Sequence, residues 1–205
     1  MQTIQQPNDS FFYTYGASHP PIAHVRCGQT VVLETIDAFG GRLKRSEDLY
    51  SECCPGPPRS NPQTGPLYIE QAEPGDTLVV HIEQIEPTES FAVTALIPEF
   101  GGLTGTALTA TLDKPLPERT RILPIEGEQI VFSDAIRLPL EPFLGTLGVA
   151  PELEEISSLV PGRWGGNMDC VETAPGNSVW LPVFNEGALF FLGDAHARQG
   201  DGELT

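Results

Sequence analysis

Residues 178–203 read SVWLPVFNEGALFFLGDAHARQGDGE. The run SVWLPVF (178–184) and the run ALFFL (188–192) are apolar, and Asn185, Glu186 and Gly187 between them supply turn chemistry. Two short runs broken by residues that tolerate a tight bend predict strands. The same punctuation recurs upstream. Thr30 to Phe39 (TVVLETIDAF) is closed by Gly40 and Gly41. Thr77 to Ile85 (TLVVHIEQI) follows the turn Glu73-Pro74-Gly75-Asp76 and places Leu78, Val80 and Ile82 on one face. Further runs lie at 121–125, 129–132 and 135–138. Helix signals are few: Ser46 could cap a turn through Tyr50, and Leu153 to Leu159 could form another.

Composition agrees. Gly (21) and Pro (20) in 205 residues leave little room for long helices, yet 40% hydrophobic residues suffice for a core. No internal repeat, low-complexity linker or shift of composition divides the chain, so residues 1–205 are expected to form one domain. Short strands with Gly/Pro turns predict a mostly β fold, a β-sandwich or barrel, with short helices. The formal net charge of −17 disfavours nucleic acid and anionic membranes as partners. No apolar run reaches bilayer length, and MQTIQQPNDS (1–10) lacks a basic-then-apolar leader, so a cytoplasmic location is expected. Cys27, Cys53, Cys54 and Cys170 show no C-x-x-C spacing, and reduced thiols without a catalytic role are expected.

The polar residues collect immediately after ALFFL. If that strand continues, Asp194 and His196 share a face with Ala188, Phe190 and Leu192. A loop at 197–200 would then set His196 opposite Asp201 and Asp194 opposite Glu203. Three carboxylates so placed repel one another unless a proton or a cation intervenes, and oxygen ligands with one imidazole suit several divalent ions. An ordinary solvated acidic hairpin fits the same residues. Two weaker clusters are Asn167 and Asp169 in GGNMD (165–169), and Glu34 with Asp37, whose spacing needs a bulge to bring both to one site. His19, His24 and His81 are isolated and are expected to be structural or exposed. The segment 141–151 (EPFLGTLGVAP) reads as a rigid apolar loop that walls a pocket or closes the core. No G-x-S-x-G elbow, Ser-Ser-Lys pattern, dinucleotide fingerprint or P-loop is present.

Taken together, TVVLETIDAFGG (30–41), NPQTGPLYIEQAEPGDTLVVHI (61–82), RLPLEPFLGTLGVAP (137–151), GGNMD (165–169) and WLPVFNEGALFFLGDAHARQGDGE (180–203) resemble the acetamidase/formamidase family. The segments follow the family's order and cover well over half of the chain. The resemblance implies a jelly-roll-like β-sandwich, hydrolysis of short-chain amides such as formamide or acetamide, and assembly into homo-oligomers. The site residues carried over are Glu34, Asp37, Asn167, Asp169, Asp194, His196, Asp201 and Glu203. Family members usually extend beyond GDGE, whereas this sequence ends at Thr205. The expectation is therefore a chain lacking the family's C-terminal part, which a separate chain could supply. The region FFYTYGASHPP (11–21) also departs from the family's start.

The mechanism expected from these residues uses a divalent metal ion (zinc or similar, or calcium) held by Asp194, His196 and Asp201. Glu203 serves as general base, and Asn167 donates to the developing oxyanion. Asp169, Glu34 and Asp37 complete the catalytic set, and a small neutral amide is the substrate. The rival expectation is a non-catalytic β-sandwich that binds a metal or a small ligand.

Overall fold

The computed structural model of the chain describes residues 2–7, 10–101, 114 and 116–201. Its strands, in chain order, begin with β1 (Gln2–Ile4), β2 (Thr14–Tyr15), β3 (Ala23–Arg26), β4 (Val31–Leu33), β5 (Gln63–Glu70) and β6 (Thr77–His81). Next come β7 (Phe91–Leu96), β8 (Arg119–Glu126), β9 (Gln129–Ser133), β10 (Ile136–Pro139) and β11 (Phe143–Val149). The last are β12 (Ile156–Ser157), β13 (Pro161–Gly162), β14 (Gly165–Asn167), β15 (Ser178–Pro182) and β16 (Phe190–His196). The helix among the described residues is one turn, α1 (Tyr50–Cys53). The chain is mostly β, as its turn density dictates, and no described helix is long and apolar enough to cross a membrane.

A six-stranded sheet, ordered β13-β14-β11-β16-β5-β3, carries the site. Its centre is the antiparallel pair β11 and β16, in register from Phe143 opposite His196 to Val149 opposite Phe190. Every residue of β11 is buried. Leu144, Leu147, Val149, Phe190, Leu192 and Leu67 of this sheet pack with Ile82, Leu181 and Val183 from the β15/β6 region and with Ile4 of β1. Side chains from separate sheets meeting in one core make the β-sandwich. Fully burying each Leu or Phe contributes roughly 1.5–3 kcal/mol relative to exposure. Elsewhere, Tyr15, Ala150, Leu189 and Phe191 form a second buried cluster. A four-stranded sheet, β10-β9-β8-β7, completes the larger elements.

Several expectations change. Residues 141–151 contain the central strand β11, because Gly145 and Gly148 let its backbone pack closely while its apolar side chains enter the core. The run 30–39 is extended as a ladder strand only at Val31–Leu33. There the Asp37 carboxylate accepts the backbone N–H groups of Phe39 and Gly41, each at 2.9 Å, and turns the chain out of the strand. The turn expected from Ser46 through Tyr50 is a tight turn at 46–47, closed by Asp48 N–H on the Arg45 carbonyl at 3.1 Å, followed by α1 from Tyr50. No helix forms at 153–159: Ile156 and Ser157 pair with Tyr15 and Thr14 instead.

Candidate functional site: a carboxylate–imidazole centre at the end of the central strand pair

Among the described residues, the expected hairpin pairing of His196 with Asp201 is not formed. β16 ends at His196, and just beyond it the Ala197 carbonyl accepts the N–H of Glu141 at 3.0 Å. Arg198 adds an ion pair to Glu141, and Gln199 donates to the Asp169 carbonyl at 2.9 Å. These bonds tie 197–199 to Glu141, just ahead of β11, and to the segment after β14, while His196 sits opposite Phe143. Asp201 is exposed, and Glu203 lies outside the described residues.

The partner brought to Asp194 and His196 is Asp169. One potential ligand atom from each of the three lies within 4.8 Å of the others. The left-handed backbone of Asp194 (φ 53°) breaks strict strand alternation, and the ladder skips the Gly145/Asp194 pair. Asp169, with φ 46°, is left-handed as well. Left-handed non-glycine residues are uncommon and concentrate where surrounding structure over-determines them.

Gly145 explains how the three side chains meet. A Cβ at that position would stand 2.6 Å from Asp169 Oδ1, 2.7 Å from His196 Cε1 and 2.9 Å from Asp194 Oδ2. The space above the central strand belongs to the site because residue 145 has no side chain. Phe143 stacks on the His196 ring, with centroids 4.7 Å apart and planes at 19°. His196 Nδ1 lies 2.9 Å from the Asp194 backbone carbonyl. A carbonyl only accepts, so in the neutral ring Nδ1 carries the hydrogen and Nε2 the lone pair. That arrangement, an imidazole oriented by a backbone carbonyl, is characteristic of metal-binding histidines. Two carboxylates and an imidazole form a donor set suited to a divalent cation, which would relieve their mutual repulsion.

Behind these groups lies a buried polar layer. Asn61 Nδ2 is within reach of Thr146 Oγ1 (3.0 Å), Asn167 Oδ1 (3.1 Å), Asp194 Oδ2 (3.3 Å) and the Ser158 carbonyl (3.3 Å). Thr146 Oγ1 donates among the same acceptors, lying 3.1 Å from Asp194 Oδ2 and close to Asn167 Oδ1. Asn167 Nδ2 donates to Asp169 Oδ2 at 2.9 Å. Both ends of the Asn167 amide are therefore engaged with site residues, which gives it an orienting place in addition to any contact with substrate. Tyr15, whose phenol is pushed well above its ordinary range by burial and secondarily by the Asp194 charge, donates to Gln63 Oε1 at 3.1 Å.

Glu34 and Asp37 do not join the three-residue group. Glu34 is exposed, and its carboxylate accepts from Gln5 Nε2 at 2.6 Å. Asp37 caps its own turn, and burial pushes its carboxyl up against the opposing pull of the Gly41 and Phe39 N–H groups. Both nonetheless line the large groove, about 2260 Å³, that also reaches Asn167, Asp194 and His196. Their loop is tied to the site by backbone: Asn61 N–H donates to the Ala38 carbonyl at 3.1 Å, and Thr64 Oγ1 to the Glu34 carbonyl at 3.0 Å. His24 and His81 are exposed, and His19 packs on Phe12. Sequence reasoning passed over Asn61, Gln63, Tyr15, Gly145 and Thr146. NPQTG and GTLG lie in segments that resemble the family, yet no spacing in them marks these residues for the site, and only the fold reveals their convergence.

Comparison with known proteins places the sequence and the fold. The sequence model of the Acetamidase/Formamidase family matches residues 3–160 and 153–205. A solved acetamidase from Yersinia enterocolitica superposes with a TM-score of 0.92 at 41% identity, covering 99% of this chain and 62% of that one. An acetamidase from Bacillus halodurans superposes with a TM-score of 0.87 at 37% identity, covering 98% of this chain and 64% of that one. The acetamidase of Mycolicibacterium smegmatis is 26% identical over 203 residues, which is 69% of this chain and 48% of the relative. This chain thus spans between about half and two thirds of the length of these relatives. With the match running across nearly all of its residues, the chain belongs to the acetamidase/formamidase family.

Proposed function

We propose that the chain carries the amide-hydrolysing centre of a short-chain amidase acting on formamide, acetamide or a similar small amide, and that Asp169, Asp194 and His196 hold a divalent cation there. The observation that carries this reading is the convergence of those three side chains over Gly145, in a chain matched to the family almost end to end. In this ligand set Asp169 stands in the place expected of Asp201.

In the reaction, water adds to the carbonyl carbon, the C–N bond breaks, and the departing nitrogen receives a proton. A cation at this centre, when bound, supplies Lewis acidity toward the carbonyl and toward water. The chain's own residues orient and move protons. Phe143 and the Asp194 carbonyl fix the His196 ring, while Asn167 and Asn61 fix the two carboxylates. Glu203 is assigned the general base that takes a proton from water and returns it to nitrogen.

Single substitutions test these roles. Asp169→Asn, Asp194→Asn and His196→Ala should each lower metal content and ammonia release together, while Asp201→Asn should leave metal content near that of the parent. Glu203→Gln should keep the metal and lose turnover by roughly 10²–10⁴-fold. Metal loss in Asp201→Asn but not in Asp169→Asn would restore the hairpin assignment. Metal loss in Glu203→Gln would make that residue a ligand.

A further inference from the structure

Asn61 is buried at 3% exposure, has a left-handed backbone (φ 60°), and belongs to no cluster that sequence motifs single out. Its amide orientation follows from its neighbours. Gln63 Nε2 lies 3.2 Å from the Asn61 carbonyl and 3.3 Å from the Pro62 carbonyl, and carbonyls only accept, so this end of Gln63 is the donor. Gln63 Nε2 therefore donates to Asn61 Oδ1 at 2.9 Å, and Gln63 Oε1 is left to accept from Tyr15. With Asn61 Oδ1 fixed as acceptor, Nδ2 must face the other way, toward the Ser158 carbonyl, Asn167 Oδ1 and Asp194 Oδ2. The two hydrogens of Asn61 Nδ2 and the one of Thr146 Oγ1 are shared among those three oxygens and Thr146 Oγ1 itself, which lies 3.0 Å from Asn61 Nδ2. The amide orientations of Gln63 and Asn61 are thus set by protein geometry before any ligand arrives.

We infer that Asn61 and Thr146 are positioning residues: they hold the Asp194 carboxylate through Oδ2 and, through Asn167, steady the Asp169 carboxylate, so that the ligand set is held ready for a divalent ion. This rests on the reading of Asp169, Asp194 and His196 as a metal centre. The route to Asp169 is the 2.9 Å bond from Asn167 Nδ2 to Asp169 Oδ2. A carboxylate held on one oxygen by such donors presents its other oxygen in a defined direction, and outer partners of this kind tune metal affinity. Tyr15 and Gln63, both fully buried, keep the Asn61 amide from flipping.

The test is titration of the metal-free protein with cobalt(II), followed by visible absorption, beside thermal unfolding without metal. Asn61→Gly removes the amide while suiting the left-handed backbone. It should unfold cooperatively, bind cobalt about 10–100-fold more weakly, and show displaced d–d bands, because the ligand geometry relaxes. A role in stability alone would lower the unfolding temperature without moving those bands. Thr146→Val, of similar shape, should weaken binding by about tenfold, and Thr146→Ser, which keeps the hydroxyl, should restore it. Parental affinity and spectrum in Asn61→Gly overturn the inference. If that variant does not fold, equal affinities of Thr146→Val and Thr146→Ser overturn it. A parent protein that takes up no cobalt overturns the metal reading and this inference with it, an outcome distinct from a parent that binds beside variants that bind equally well.

Discussion

At the scale of single residues, the account turns on space as much as on charge. Gly145 is the sharpest case, because three site atoms lie within 2.9 Å of where its Cβ would be. Its backbone shows no left-handed strain, so Gly145→Ala tests crowding alone. We expect that variant to fold, to lose about 1–3 kcal/mol of stability through overpacking, and to lose at least roughly tenfold in metal affinity, measured by unfolding and by metal titration. Parental metal affinity in Gly145→Ala would show that the three side chains have room to spare. The thiols offer a contrast in reactivity. Burial pushes Cys54 up to about 11, whereas Cys27 is exposed. Because the thiolate is the nucleophile, iodoacetamide at pH 7.5 should label Cys27 well before Cys54, and the Cys54 rate should climb as the pH is raised toward 11. Peptide mapping of a timed reaction reads both rates, and equal labelling at neutral pH would contradict the environment described for Cys54.

At the scale of elements, β11 and β16 are at once the centre of the sandwich and the floor of the site. Leu147 on β11 is fully buried, so Leu147→Ala should cost about 2–5 kcal/mol in denaturant unfolding, while Leu153→Ala, at a position 92% exposed, should stay within about 0.5 kcal/mol. Comparable losses at the two positions would mean that β11 is not the core strand. The apolar run that becomes β16 was legible in sequence because FFL follows a turn, and the polar residues behind it were legible as a cluster. Their partner was not. Local reasoning closes a hairpin on Asp201, but the ladder to Glu141 and the Gln199 bond to Asp169 lie 30 residues or more away in sequence and win the register. The strand β11 was hidden for a related reason: Pro142 and two glycines inside a short apolar run imitate a loop, and only burial on both faces makes such a run a central strand. Asp37 shows the reverse error, since a β-branched run looked like a long strand until a carboxylate captured its backbone.

At the scale of the whole molecule, sixteen short strands and one helical turn among the described residues gather side chains from distant segments. Asn61, Thr146, Asp169, Asp194 and His196 come from four stretches of the chain. Far-ultraviolet circular dichroism should accordingly show a β-dominated spectrum, and a helical one would contradict the fold. Such assembly also makes the centre sensitive to global unfolding, so bound metal should raise the thermal midpoint, by more as the free metal concentration exceeds its dissociation constant. The central claim is that a cation held by Asp169, Asp194 and His196 supports hydrolysis of a small amide. Its most direct test is ammonia release from formamide and acetamide by the purified protein, supplied with any further segment its activity requires. The rate is measured before chelation, after chelation and dialysis, and after a divalent ion is returned. The account predicts release that falls to background on chelation and recovers with the ion; release that is unchanged in protein shown to be metal-free would contradict it.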